Sequence, residues 1–121
     1  MRKRWLFVAL LVGALVIGVT AGTVLANGGA FGDRYRAIAE AYDLNVTRVD
    51  VEWGKAVDPE EIRKALKTNP GTKAVIITHN ETSTGVTNDL AAISKVVKGE
   101  FSKLLLVDAI SSMGCLPLPA A

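Results

Sequence analysis

Two short segments of the sequence are almost entirely apolar, and they limit the folds that the chain can adopt. They read KAVIIT at residues 73–78 and KLLLVD at residues 103–108. Apolar runs without regular alternation are typical of strands that are covered on both faces, as in parallel sheets. Two parallel strands need a crossover between them, and residues 88–98 supply a helical pattern. The sequence therefore predicts an α/β fold with a parallel sheet.

The chain before these strands alternates in the same way. A helix is predicted at residues 32–43, a strand at 45–51 and a second helix at 58–66, where Asp58 is a suitable N-cap and Pro59 a suitable first residue. The first helix places four apolar side chains on one face: Tyr35, Ile38, Ala39 and Tyr42. Alternating helices and strands indicate crossovers that build a parallel sheet.

Polar residues follow both apolar strands. They are the loop at residues 78–85, within VIITHNETSTGVTNDL, and Asp108. Ligands of open parallel sheets bind beyond the carboxyl ends of the strands, so we expect both features at the same edge. A carboxylate at the end of an apolar strand requires a cation or hydrogen-bond donors, because burial of an unpaired charge is costly.

Each of these polar residues also has an interpretation without a ligand. Asp108 can cap the turn AISSMG that follows it, and the hydroxyls of residues 82–84 can cap the next helix. Alternatively, these hydroxyls and the backbone N–H groups near Gly85 face an anion or a ligand oxygen. His79 is the only imidazole, and without a second partner its position favours a structural role.

The N-terminus has a different character. Residues 1–26 begin with Arg2, Lys3 and Arg4 and continue as an apolar run from Trp5 to Ala26. This pattern predicts a hydrophobic helix that is either a cleaved signal peptide or a transmembrane anchor. The chain is then anchored in a membrane or exported, and its folded domain covers residues 27–121.

Charge and cysteine content exclude several classes of site. Removing the three N-terminal basic residues from the total of 14 leaves 11, against 12 acidic residues, so the basic pI describes the N-terminus and no nucleic-acid surface is predicted. The single cysteine, Cys115, cannot form an internal disulfide. One cysteine and one histidine cannot assemble a zinc site, and no metal site is predicted.

Several motifs together resemble those of a known family. The motifs are NGGAFGDRYRAIAEAY, VEWGKAVDPEEIRKAL and THNETSTGVTNDLAAI, followed by LLLVDAISSMG. They are similar to class V pyridoxal-phosphate-dependent aminotransferases, in the branch of alanine–glyoxylate and serine–glyoxylate enzymes. The resemblance runs from Asn27 to about Pro119. It implies part of a fold-type I large domain, a homodimer, and a cytoplasmic or organellar parent family.

The resemblance assigns roles to individual residues. Asp108 matches the aspartate that pairs with the pyridine nitrogen of pyridoxal 5′-phosphate and keeps it protonated. Thr82 matches the residue that hydrogen-bonds the cofactor near its ring hydroxyl, and Phe31 the aromatic residue that stacks on the ring. Gly28 and Gly32 are expected to let the backbone approach the cofactor closely.

One functional residue of the family has no match. Its Schiff-base lysine lies after a further strand in a Ser-x-x-Lys stretch, whereas this sequence ends at Ala121, shortly after Asp108. The lysines between residues 55 and 103 do not match that position, so no catalytic residue is assigned. The prediction is a truncated transaminase-family chain that is inactive alone. Its family transfers an amino group from an amino acid such as alanine or serine to glyoxylate or a similar 2-oxo acid.

Two other functions stay open at this point. One is a membrane-tethered or exported binding module that keeps half of a ligand site without chemistry. The other is a non-functional translated fragment whose exposed sheet edges and apolar patches make it unstable.

Overall fold

The computed structural model describes residues 22–118. The elements, in chain order, are β1 (Gly22–Asn27), α1 (Ala30–Ala41), β2 (Val46–Asp50), α2 (Pro59–Thr68), β3 (Thr72–Thr78), β4 (Asn80–Glu81), β5 (Val86–Thr87), α3 (Leu90–Ser94) and β6 (Leu104–Asp108). A π-helical segment, Lys95–Glu100, continues α3.

Four strands form one parallel sheet in the order β2–β1–β3–β6. Strands β4 and β5 form a separate antiparallel hairpin. From β1 the chain passes to β2 on one side, then returns to β3 on the other side of β1. The strand order therefore reverses between β1 and β3, which is where α/β sheets open a crevice for ligands. The predicted α/β fold with a parallel sheet is confirmed.

Strand β1 corrects the boundary that the sequence predicted at residue 26. Residues 22–26, assigned there to a hydrophobic helix, form a central strand whose side chains at Val24, Leu25 and Ala26 are 0–4% exposed. A strand covered on both faces has the same apolar composition as a membrane segment. Hydropathy alone therefore could not separate β1 from the apolar residues that precede it in the sequence. The rest of the predicted leader, residues 1–21, lies outside the described residues. No helix among residues 22–118 is long and apolar enough to cross a membrane.

Helices cover both faces of the sheet. Helices α2 and α3, with the π-helical segment, pack on one face and form the main core with β1, β2 and β3. The core residues are Val24, Ala26, Val49, Val57, Ile62, Leu66, Val75, Ile77, Leu90, Ile93, Val96 and Val97. Helix α1 covers the other face over β1, β2 and β3. Strand β6 is at the edge, and its Leu104 and Leu106 are 59% and 44% exposed.

The helices confirm some predicted faces and correct others. Helix α2 begins as predicted: Asp58 is the N-cap, and its carboxylate accepts a hydrogen bond from Glu60 N at 2.9 Å. Helix α1 has the predicted periodicity but buries only part of its apolar face. Ala39 is buried, whereas Ile38 and Tyr42 are 48% and 74% exposed. The periodicity identified an apolar face, but in the described chain no element lies over its outer part.

Candidate active site at the carboxyl edge of the sheet

The loops that follow β1, β2, β3 and β6 meet at one edge because all four strands are parallel. Two backbone hydrogen bonds join neighbouring strand ends at this edge. His79 N donates to Asp108 O at 2.8 Å, which joins the loop after β3 to the end of β6. Val51 N donates to Asn27 O at 2.8 Å, which joins the ends of β1 and β2 in the same way.

Asp108 lies at the end of β6 and caps the turn that follows it. Its Oδ1 accepts a hydrogen bond from Ile110 N at 3.0 Å, so the capping role is present. The carboxylate also lines a cavity of about 520 Å³, formed by Tyr35, Val107, Asp108, Ala109, Ile110 and Met113. A carboxylate can accept several hydrogen bonds, and one N–H uses only part of this capacity. Asp108 can therefore cap the turn and bind a ligand at the same time.

Tyr35 is a site residue that sequence reasoning missed, because its spacing placed it on the apolar face of α1. The structure brings its phenol to the cavity of Asp108. Burial raises the pKa of Tyr35, and the negative charge of Asp108 and a hydrogen bond to it raise the pKa further. The sequence did contain one indication of this role: Tyr35 lies one helical turn after Phe31, so both side chains face the carboxyl edge of the sheet.

Thr78 is a second residue that the sequence did not single out. It is the direct neighbour of Asp108 across the β3–β6 pair, so both side chains point to the α1 face of the sheet. Its hydroxyl is buried and has no hydrogen-bond partner in the described part of the chain. A buried polar group without a partner is costly, and it marks a place where an added polar group would be stabilised.

The loop after β3 places Thr82 and Ser83 on the surface and buries Glu81, which is 3% exposed. The Glu81 carboxylate accepts hydrogen bonds from Ser83 N at 3.1 Å and from Ser83 Oγ at 2.6 Å. Thr82, predicted to bind the cofactor, is exposed at the tip of this turn. His79 has the structural role that was favoured, because its Nδ1 lies 2.8 Å from the buried Ser112 Oγ.

Phe31 lies in the first turn of α1 and is 36% exposed. Its ring is 5.5 Å from the guanidinium carbon of Arg34, a cation–π arrangement. Helical spacing places Phe31 one turn before Tyr35, on the side of α1 that reaches the Asp108 cavity.

Gly28 and Gly32, near Phe31, make close contacts within the protein, and their predicted contact with the cofactor stays a prediction. Gly32 is buried, and a Cβ there would lie 2.2 Å from Asn27 Oδ1. A Cβ on Gly28 would lie 3.3 Å from Lys55 O. The backbone at both positions therefore approaches neighbouring protein atoms.

None of the lysines in the described residues lines the Asp108 cavity. Lys55 pairs with Glu52 at 2.6 Å and Lys64 with Glu61 at 2.6 Å. Lys103 donates to Pro70 O at 3.0 Å. The absence of a Schiff-base lysine from this segment stays a prediction.

Comparison with known proteins identifies the family. The family model described as aminotransferase class-V matches residues 34–120. The chain is 39% identical over 95 residues to the serine–glyoxylate aminotransferase of Methylorubrum extorquens, covering 76% of this chain and 24% of the relative. It is 44% identical over 98 residues to the soluble hydrogenase 42 kDa subunit of Anabaena cylindrica, covering 79% of this chain and 26% of the relative.

Solved structures agree with this result. The alanine–glyoxylate aminotransferase of Nostoc sp. aligns with a TM-score of 0.75 and 32% identity, over 82% of this chain and 26% of that one. The chain thus spans about a quarter of the length of the relatives that it matches. The match includes the strands that carry Thr78 and Asp108 and the loop that carries Thr82. The family predicted from the motifs is confirmed: this chain belongs to the class-V aminotransferases.

Proposed function

We propose that the chain carries the ring-binding part of a pyridoxal 5′-phosphate site. The corresponding whole enzyme would transfer an amino group from an amino acid such as alanine or serine to glyoxylate or a similar 2-oxo acid. The observation that carries this proposal is the cavity beside Asp108 at the end of a parallel strand.

The residues around this cavity fit a planar, cationic heterocycle. Val107, Ala109, Ile110 and Met113 give the cavity an apolar lining, while Asp108 gives it one negative charge. The buried hydroxyl of Thr78 beside Asp108 has no partner in the described chain, as expected where a polar group completes the site. When bound, pyridoxal phosphate supplies an electron sink for the breaking of a bond at the substrate α-carbon.

Individual residues then have defined tasks. Asp108 holds a proton on the ring nitrogen, because a nearby negative charge favours the protonated form. Phe31 packs against the face of the ring, an interaction of about 1 kcal/mol beyond burial. The exposed hydroxyl of Thr82 is available to hydrogen-bond the ring substituents.

We further propose that this chain alone does not transaminate. No lysine among residues 22–118 lines the cavity, so no described amine is placed to attach the cofactor or to move a proton at the substrate α-carbon. Incubation with pyridoxal phosphate, alanine and glyoxylate should give no turnover. Borohydride reduction followed by peptide mapping should find no single lysine modified in preference to the others, and one dominant modified lysine with turnover would contradict the proposal.

Ring binding is tested by titration with pyridoxamine 5′-phosphate, which carries an amine in place of the aldehyde and so does not react with surface lysines. Asp108→Asn should weaken its binding at least about tenfold, because the hydrogen bond loses a charged acceptor. Asp89→Asn is the matched control: the carboxylate of Asp89 is also a cap, since it is the N-cap of α3 and accepts from Ala92 N at 3.0 Å, but it lines a different cavity. Equal affinities of the two variants would exclude Asp108 as the ring partner.

A further inference from the structure

The loop that carries Thr82 is joined to the first turn of α1, which carries Phe31. Ala30 N donates a hydrogen bond to Ser83 Oγ at 3.2 Å, and Gly32 N lies 3.4 Å from its acceptor, Glu81 Oε2. The two donors are the residues on either side of Phe31. The two acceptors are the residues on either side of Thr82.

We infer that Glu81 and Ser83 are positioning residues that fix Phe31 and Thr82 relative to each other. The inference rests on the proposed function, since it concerns the same site. The name "81/83 clamp" denotes here the hydrogen bonds of Glu81 and Ser83 to Ala30 and Gly32. It crosses the crevice between β1 and β3, where the strand order reverses.

The clamp also contains a hydrogen bond within its own loop. Ser83 Oγ both donates to Glu81 Oε1 at 2.6 Å and accepts from Ala30 N, so the loop and the helix share one hydroxyl. Glu81 is buried and forms no salt bridge in the part of the chain described by the structure. Its charge is stabilised instead by hydrogen bonds and by the positive end of α1, a helix of 12 residues.

The fit at Gly29 shows how closely the clamp is packed. A Cβ on Gly29 would lie 2.5 Å from Glu81 Cγ and 2.8 Å from Ser83 Oγ. On the far side of the same turn, Asn27 Oδ1 accepts from Gly29 N at 3.1 Å, and Asn27 Nδ2 donates to Asp33 Oδ1 at 2.8 Å. The backbone around Phe31 is therefore held by a hydrogen bond to Asn27 and by the hydrogen bonds of the 81/83 clamp.

The variants Glu81→Gln and Ser83→Ala test the inference in the full 121-residue chain. Glutamine keeps the shape of Glu81 but loses one acceptor oxygen, and alanine removes the shared hydroxyl. Hydrogen exchange at the amides of Ala30 and Gly32 should accelerate about tenfold, while exchange at the core amide of Ile93 stays unchanged. Ser83→Thr keeps a hydroxyl and should restore protection.

A matched control comes from the same loop. Thr87 Oγ1 donates to Asn80 Oδ1 at 2.9 Å within the hairpin and has no hydrogen bond to α1 in the described residues. Thr87→Val should leave both the exchange rates at Ala30 and Gly32 and the affinity for pyridoxamine 5′-phosphate unchanged. The clamp variants should weaken that affinity by about tenfold, and Ser83→Thr should recover it.

The outcomes separate the clamp from the proposed function. Unchanged exchange at Ala30 and Gly32, or an equal rise at Ile93, overturns the clamp. Faster local exchange with unchanged affinity also overturns its positioning role. If the wild-type chain does not bind pyridoxamine 5′-phosphate, the proposed function fails. The clamp is then judged by local exchange together with the NMR shifts of the Phe31 ring, which must change in Ser83→Ala and return in Ser83→Thr.

Discussion

The carboxylate of Asp108 interacts both with the turn that follows it and with Tyr35. It accepts a hydrogen bond from Ile110 N, and its charge and a hydrogen bond to it raise the pKa of Tyr35. A ring nitrogen that enters the cavity therefore competes with the Tyr35 phenol for the remaining capacity of Asp108. Sequence reasoning identified the carboxylate because it ends an apolar strand. It could not identify Tyr35, because helical periodicity does not separate a core phenol from a site phenol.

The titration of Tyr35 tests this arrangement. Burial, the charge of Asp108 and the hydrogen bond to Asp108 raise the pKa of Tyr35 above the ordinary value of a tyrosine, about 10. In a Tyr42→Phe background Tyr35 is the only tyrosine, so phenolate absorbance reports it alone. We expect Asp108→Asn to lower this pKa toward the ordinary value and Asp89→Asn to leave it unchanged. An equal pKa in both variants would contradict the contact.

The raised pKa of Tyr35 also makes the stability of the fold depend on pH. The folded chain holds the Tyr35 proton more tightly than the unfolded chain. Protonated Tyr35 therefore contributes to the free energy of unfolding, and this contribution is complete below the unfolded pKa of about 10. It is lost as the pH rises through the folded pKa. Urea midpoints measured across the alkaline range should therefore fall less steeply in Asp108→Asn than in the parent chain.

At the scale of elements, the predictable parts are those whose pattern is local. Strand β3 (Thr72–Thr78) and strand β6 (Leu104–Asp108) lie within one residue of the apolar runs at 73–78 and 103–108. Helix α2 begins at the residue that its N-cap and proline indicated. The 81/83 clamp was not predictable, because its partners are 49 and 53 residues apart in the chain. Sequence patterns over a few residues cannot predict contacts between residues so far apart in the chain.

The beginning of α1 gives a prediction at this scale. Gly29→Ala should lower the free energy of unfolding by about 1–3 kcal/mol, because the new Cβ would overlap the buried Glu81 side chain. Gly71→Ala is the control, since nothing lies within 4 Å of its Cβ position. Urea denaturation of both variants measures the difference. A stability of Gly29→Ala equal to that of Gly71→Ala would mean that Glu81 moves away freely.

At the scale of the whole molecule, β6 is an edge strand with exposed leucines in the described chain. Leu104 and Leu106 lie on the α1 face, but α1 does not extend over them, and Ile38 on α1 is also exposed. The relatives are about three times as long as this chain. The sequence predicted the apolar strand but could not show which of its faces would stay open.

Exposed leucines on an edge strand favour association between molecules. Leu106→Lys should therefore reduce concentration-dependent self-association of the full chain in sedimentation experiments. Its thermal midpoint should change little, because Leu106 is already 44% exposed. Ile62→Ala, at a residue that is 0% exposed, is the contrasting variant and should lower stability by about 2–5 kcal/mol. Association that is unaffected by Leu106→Lys would place the contact elsewhere.

The parallel order β2–β1–β3–β6 also has a kinetic consequence. Each neighbouring strand pair is separated in sequence by a full crossover, so most sheet contacts are non-local and refolding should be slow for a chain of this size. Phe31 follows β1, Thr82 follows β3 and Asp108 ends β6, so the three residues lie near the carboxyl ends of three different strands. The proposed binding of a ring at this edge of the sheet should therefore appear only in the last refolding phase, after all four strands have paired.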